Sequence, residues 1–143
     1  MRAVLVGVAL LVLSGSANAQ SPLVGAWEGT TTTISSREEV PCHLIYTADG
    51  HYSWLCVPAN RPKIKDFTGD AKDLPKDELV RLFDDVTAQF GTYTIAGHKV
   101  TEKIVAAKFP NAEGLEDLVT WRLDKGELVL TGRRTVGRYH RAK

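Results

Sequence analysis

Apolar and polar positions alternate along most of this chain, and the alternation breaks in only a few places. The clearest run is Pro41–Pro58, PCHLIYTADGHYSWLCVP. Its two apolar stretches flank Ala48-Asp49-Gly50, and an Asp-Gly pair between such stretches is a strong hairpin signal. With the turn centred on Asp49, Cys42 and Cys56 fall opposite each other, at a separation that a disulfide spans. The period of two then gathers Cys42, Leu44, Tyr46, Tyr52, Trp54 and Cys56 on one face. His43, Thr47, His51 and Ser53 lie on the other.

The same reading extends in both directions. Leu23–Ile34 predicts a strand on which Trp27 shares its face with Gly25, Gly29 and Thr31. Pro58–Asp73 is charged and broken by prolines, with no sustained period, and predicts a long surface excursion that Ile64 and Phe67 pin down. Leu74–Phe90 changes period. Leu79, Phe83, Val86 and Phe90 recur every three to four residues, predicting one inserted amphipathic helix over about residues 75–90. Pro75 suits its first turn and Gly91 its stop.

Alternation resumes around Gly97-His98, where Tyr93 and Ile95 share a face with Val100, Glu102, Ile104 and Ala106. A further hairpin turns at Lys125-Gly126, with Val119, Trp121, Leu123, Leu128 and Leu130 facing one way. The tail alternates well enough for a last strand through Val136 or Tyr139. Seven or eight short strands joined hairpin by hairpin predict a mainly β protein, an up-and-down antiparallel barrel of about eight strands rather than a sandwich. A barrel of that size holds packed side chains or one small ligand.

The N-terminus adds an address. Arg2, the apolar run Ala3–Leu13 and Ala17-Asn18-Ala19 form a signal peptide over residues 1–19, with cleavage expected after Ala19. The apolar run is too short to span a membrane. The mature chain, 20–143, suits one domain, and the leader places it in the periplasm or outside the cell. The chain carries 18 basic and 17 acidic side chains, and the leader removes one of the former. A balanced chain has no general electrostatic draw toward nucleic acid or an anionic membrane. Two cysteines in an exported chain favour a disulfide over a metal site or a catalytic thiol.

Five segments together resemble the bacterial lipocalin-like domain family. They are Leu23-Val24-Gly25-Ala26-Trp27, Tyr46-Thr47-Ala48-Asp49-Gly50, Phe90-Gly91-Thr92-Tyr93-Thr94-Ile95, Val100-Thr101, and Leu123–Thr131, LDKGELVLT. The resemblance implies a calycin-type barrel with a helical insert and says little about activity. It also implies that Trp27 seals the barrel floor against a basic side chain late in the chain. Arg134 is the leading candidate for that partner, beside Arg133 and Arg138. The Thr-Asp-x-Tyr-type motif and C-terminal helix of true lipocalins are not visible, which counts against a vertebrate-style carrier.

Recognisable reaction motifs are missing: no Gly-rich phosphate loop, His-x-x-x-His, Cys-x-x-Cys or nucleophile elbow. The four histidines do not converge, so neither a metal nor a cofactor is expected. Glu102 is the most informative acid, since the pattern turns it inward in an apolar strand. A carboxylate against apolar walls has its pKa raised and serves as a general base or a ligand anchor; at the barrel rim it would be an ordinary solvated acid. If buried, it needs a partner, Arg134 or Tyr93. Tyr46, Tyr52, Trp54, Tyr93 and Trp121 are the expected aromatic lining, with Glu102, of a site for a small, largely apolar molecule. Two alternatives stand beside that reading. One is a small barrel enzyme of proton-transfer or cyclase type using Glu102. The other is an envelope interaction or inhibitor module working through Pro58–Asp73 or the basic tail.

Overall fold

The computed structural model describes residues 21–35, 37–61, 63–64, 70–84 and 86–143. The expected signal peptide and the expected anchor Phe67 lie outside these residues. Eight antiparallel strands follow one another around a closed barrel, each paired with its sequence neighbours and the last with the first. They are β1 (Gly25–Thr33), β2 (Glu39–Tyr46), β3 (His51–Cys56), β4 (Thr87–Ala96), β5 (Lys99–Ala107), β6 (Glu116–Asp124), β7 (Glu127–Thr131) and β8 (Thr135–Arg141). Closure leaves no free sheet edge.

The β2–β3 register is the one the Asp-Gly turn dictates. Cys42 faces Cys56, Leu44 faces Trp54 and Tyr46 faces Tyr52, and Cys42 and Cys56 are joined by a disulfide. Gly50 takes the positive φ of 88° that the turn needs. Cys42, Leu44, Tyr46, Tyr52 and Cys56 are all buried.

Strand direction sorts the connections into two ends. Short turns at 47–50, 97–98 and 125–126 gather at one end with the segment before β1, and we call this the floor. β1, β3, β5 and β7 end, and β2, β4, β6 and β8 begin, at the other end, the mouth. At the floor, Trp27 is buried beside Leu23, Tyr46, Tyr52, Val100 and Leu128. The Trp27 indole N–H donates to the Leu23 carbonyl at 2.8 Å. Burying side chains of this size contributes about 1.5–3 kcal/mol each.

Three sequence expectations give way here. The partner of Trp27 is Arg141, and not Arg133, Arg134 or Arg138. Its guanidinium lies 3.9 Å from the indole ring, and it donates to the Val24 and Pro22 carbonyls at 2.6 Å each. Arg141 directly faces Trp27 across the β1–β8 pairing, whereas Arg134 lies beyond the far end of β8.

The helix, α1 (Lys76–Asp84), is shorter than the periodicity predicted, because pairing with β3 claims Thr87–Phe90 as strand. Phe90 therefore leaves the helical stripe and stacks on His51, with ring centroids 5.9 Å apart. No described residue of α1 is buried. Nor do Tyr93, Ile95 and their partners keep one face to the end of β5. The register shifts so that Phe90 faces Ala106 while Gly91 faces Ile104. Val105 is thus an extra residue, and Ala106 turns outward. Gly91 belongs to the same irregularity, since a Cβ there would collide with the Lys103 carbonyl and the Tyr52 ring.

Candidate functional site

The inward face is solid at the floor and open at the mouth. A cavity of about 370 Å³ occupies the upper half of the barrel, at the small end of the range for ligand sites. Leu44, Trp54, Val119 and Leu130 supply apolar wall, and Thr31, Gln89, Glu102 and Tyr139 the inward polar groups. Arg133 and Arg134, in the β7–β8 turn, border the opening. Gly137 is part of the wall, and any Cβ there would run into the Tyr139 ring.

Alternation explains why these residues meet. Thr31 is two turns of the pleat beyond Trp27 on β1, Trp54 is one beyond Tyr52 on β3, and Glu102 is one beyond Val100 on β5. On β1, β3 and β5 the inward residue nearer the floor joins the core and one nearer the middle lines the cavity, while Cys42, Cys56 and Ile104, closer to the mouth, are buried outside it.

Glu102 is only 8% exposed. Its Oε1 accepts a hydrogen bond from the Tyr46 hydroxyl, so the partner of the buried acid is Tyr46 rather than Arg134 or Tyr93. Tyr93 and Asp117 are its cross-strand neighbours, on β4 and β6. Burial pushes the Glu102 carboxyl up to about 7; the Tyr46 hydrogen bond opposes that rise and the Asp117 charge adds to it. The Tyr46 hydroxyl is raised well above its ordinary range by burial and by the neighbouring Glu102 charge. Among the described residues no lysine, arginine or histidine forms an ion pair with Glu102.

A second polar pair lies on the β1–β8 side. The Tyr139 hydroxyl shares a 2.6 Å hydrogen bond with Thr31 Oγ1. Tyr139 is raised above its ordinary value, chiefly by burial. The Trp54 indole N–H is buried with no protein acceptor of ordinary geometry, although it stands close enough to help hold the Tyr139 pKa down. A buried donor in that position is costly unless a further acceptor reaches it.

The sequence-predicted lining therefore divides. Trp54 and Glu102 line the cavity, whereas Tyr46, Tyr52 and Tyr93 form the layer below it. The Tyr46 and Tyr93 rings meet edge to face at 4.8 Å, and the Tyr93 hydroxyl donates to the Thr47 carbonyl at 2.6 Å. Trp121 stands apart on the floor-side rim. Its indole N–H donates to the Gly97 carbonyl and its ring lies 5.7 Å from His98. The helix does not contribute either. Arg61 donates to the Leu82 carbonyl and Lys108 to that of Asp84, holding α1 beside the end of β5, and no described helix residue lines the cavity.

The sequence marks Thr31 and Tyr139 only as strand residues and gives no signal for Gln89 or Asp117 as part of a site. Tyr139 and Thr31 meet only through closure of β8 on β1, a pairing with no turn of its own to announce it. Among the described residues, no three His, Cys, Asp or Glu side chains are grouped as metal ligands would be, and no helix is long and apolar enough to cross a membrane.

A family model for a lipocalin-like domain matches residues 28–142. No curated protein sequence matches the chain. Among solved structures, the chain is similar to a lipocalin-like protein from Bacteroides uniformis, with 17% identity and a TM-score of 0.48, over 84% of this chain and 98% of that one. It is also similar to an uncharacterized protein from Bacteroides eggerthii, with 9% identity and a TM-score of 0.49, over 84% of this chain and 99% of that one.

Proposed function

The chain belongs to the lipocalin-like domain family, and from that premise we propose that it is an exported protein that holds one small, largely apolar molecule in its barrel and releases it unaltered. The observation that carries this reading is the cavity itself. It has apolar walls, few and localised polar groups, and a volume suited to a molecule of one or two rings. The Cys42–Cys56 bond supports export, because such bonds persist in oxidising compartments. An intact mass starting at Gln20 in protein recovered from the producing cell checks the address.

Binding is tested by titrating the protein with 2-phenylethanol, a neutral molecule of suitable size, and following tryptophan emission. Trp54 is the cavity's one tryptophan, so a saturable change that disappears in Trp54→Phe supports the reading. No saturable change across a panel of neutral alcohols and hydrocarbons contradicts it.

Glu102 favours one further reading. A buried carboxyl titrating near neutrality in the same cavity as a tyrosine hydroxyl is equipped for proton transfer, with Glu102 as base and Tyr139 as acid. Ligand recovered chemically changed after incubation, and unchanged with Glu102→Gln, would favour catalysis over carriage.

A further inference from the structure

We propose, resting on the binding reading above, that the molecule held in the cavity carries a protonated amine, which pairs with the Glu102 carboxylate while its apolar body lies against Trp54, Leu44, Val119 and Leu130.

The geometry points to a cation because, among the described residues, none supplies one at that depth. Glu102 is buried in the cavity wall with the Tyr46 hydroxyl as its hydrogen-bond donor. The titratable groups around it are Tyr46 from β2, Tyr52 from β3, Tyr93 from β4, Asp117 from β6 and Tyr139 from β8. All four tyrosines are shifted upward, chiefly by burial, and so are neutral hydroxyls at physiological pH. Arg133 and Arg134 are exposed at the opening, where water screens them.

A ligand carboxylate placed beside Glu102 would therefore meet two acids and, among the described residues, no base. An ammonium group meets the reverse. Pairing two buried charges repays only part of the cost of removing both from water. Here the fold has already taken the carboxyl out of water, and the Tyr46 hydrogen bond holds it in place. Only the ligand's own desolvation remains to be offset. The aromatic surfaces of Trp54 and Tyr139 in the same wall favour a cation further.

The test uses three molecules with one carbon skeleton and different charge: 2-phenylethylamine, 2-phenylethanol and phenylacetate. At about pH 8, where Glu102 is ionised, the amine is expected to bind about tenfold or more tightly than the alcohol, with phenylacetate weakest. Glu102→Gln should reduce the amine's preference over the alcohol to within about twofold. Calorimetry on the unaltered protein gives an independent readout. At about pH 7 the amine should release about half a proton from Glu102, and the alcohol none.

Alcohol binding with no preference for the amine and no proton release overturns this inference while leaving the carrier reading intact. Tighter binding of phenylacetate, lost in Arg133→Ala/Arg134→Ala, also overturns it and assigns the opening as an anion site. Failure of all three to bind contradicts the carrier reading itself.

Discussion

The floor and the mouth of this barrel are built by the same eight strands under the same alternation, yet one is solid and the other hollow. At the floor, inward positions carry Trp27, Tyr46, Tyr52 and Leu128, while Arg141 closes the ring from outside. At the mouth they carry Thr31, Gln89, Glu102 and Gly137, which are smaller or polar and leave space between Leu44, Trp54 and Leu130. The period of two decides which side chains point inward. Their volume decides whether anything else fits.

The largest effect should come from removing the floor's central ring. Trp27→Ala is expected to cost about 3–5 kcal/mol, read as a fall in the denaturant midpoint. A loss below about 1 kcal/mol would mean that the floor is not a close-packed core.

Glu102 provides the next test, through pH. Its folded pKa is raised from 4.5 to about 7, so the folded protein binds this proton more tightly than the unfolded chain. The associated stability is fully present below about pH 4.5 and is lost as pH rises through about 7. Relative to Glu102→Gln, the unaltered protein should lose about 3 kcal/mol between those limits, at 1.36 kcal/mol per unit. Parallel stability curves for the two proteins would show Glu102 to be solvated.

Reducing the Cys42–Cys56 bond should cost about 2–3 kcal/mol, since it closes a short loop. Because it joins strands rather than lining the opening, reduction should lower the unfolding temperature more than it weakens ligand binding.

The smallest and sharpest contrast is a matched pair of enlargements. Val100→Phe, in the solid half, is expected to cost about 1–3 kcal/mol through overpacking. Val119→Phe projects into the cavity and should cost under about 1 kcal/mol while abolishing binding of 2-phenylethanol. Equal costs at the two positions would erase the distinction between the halves.

Much of this architecture was legible in the chain. The Asp49-Gly50 turn set a register that brought Cys42 to Cys56 and turned Tyr46 and Trp54 inward. Glu102 was readable as inward because its neighbours at two-residue spacing, Val100 and Ile104, are apolar. Long-range closure was less legible. Arg141 reaches Trp27, and Tyr139 reaches Thr31, only once β8 pairs with β1.

Two local signals also misled. Val86 and Phe90 continue the helical spacing of Leu79 and Phe83, but sheet pairing outweighs that period beyond Asp84. Trp121 keeps the expected parity and still misses the cavity, because β6 runs past the floor-side end of β5 at that point. Parity gives a face; depth along the barrel axis comes from the register of every strand at once.

The division between a filled floor and a ligand-accepting mouth is tested most directly by methyl NMR during titration with 2-phenylethanol. The account predicts saturable shifts at Leu44, Val119 and Leu130, and none at Val100, Leu128 or Leu23. Shifts confined to exterior methyls such as Val80 and Val105, or none that saturate, would contradict it.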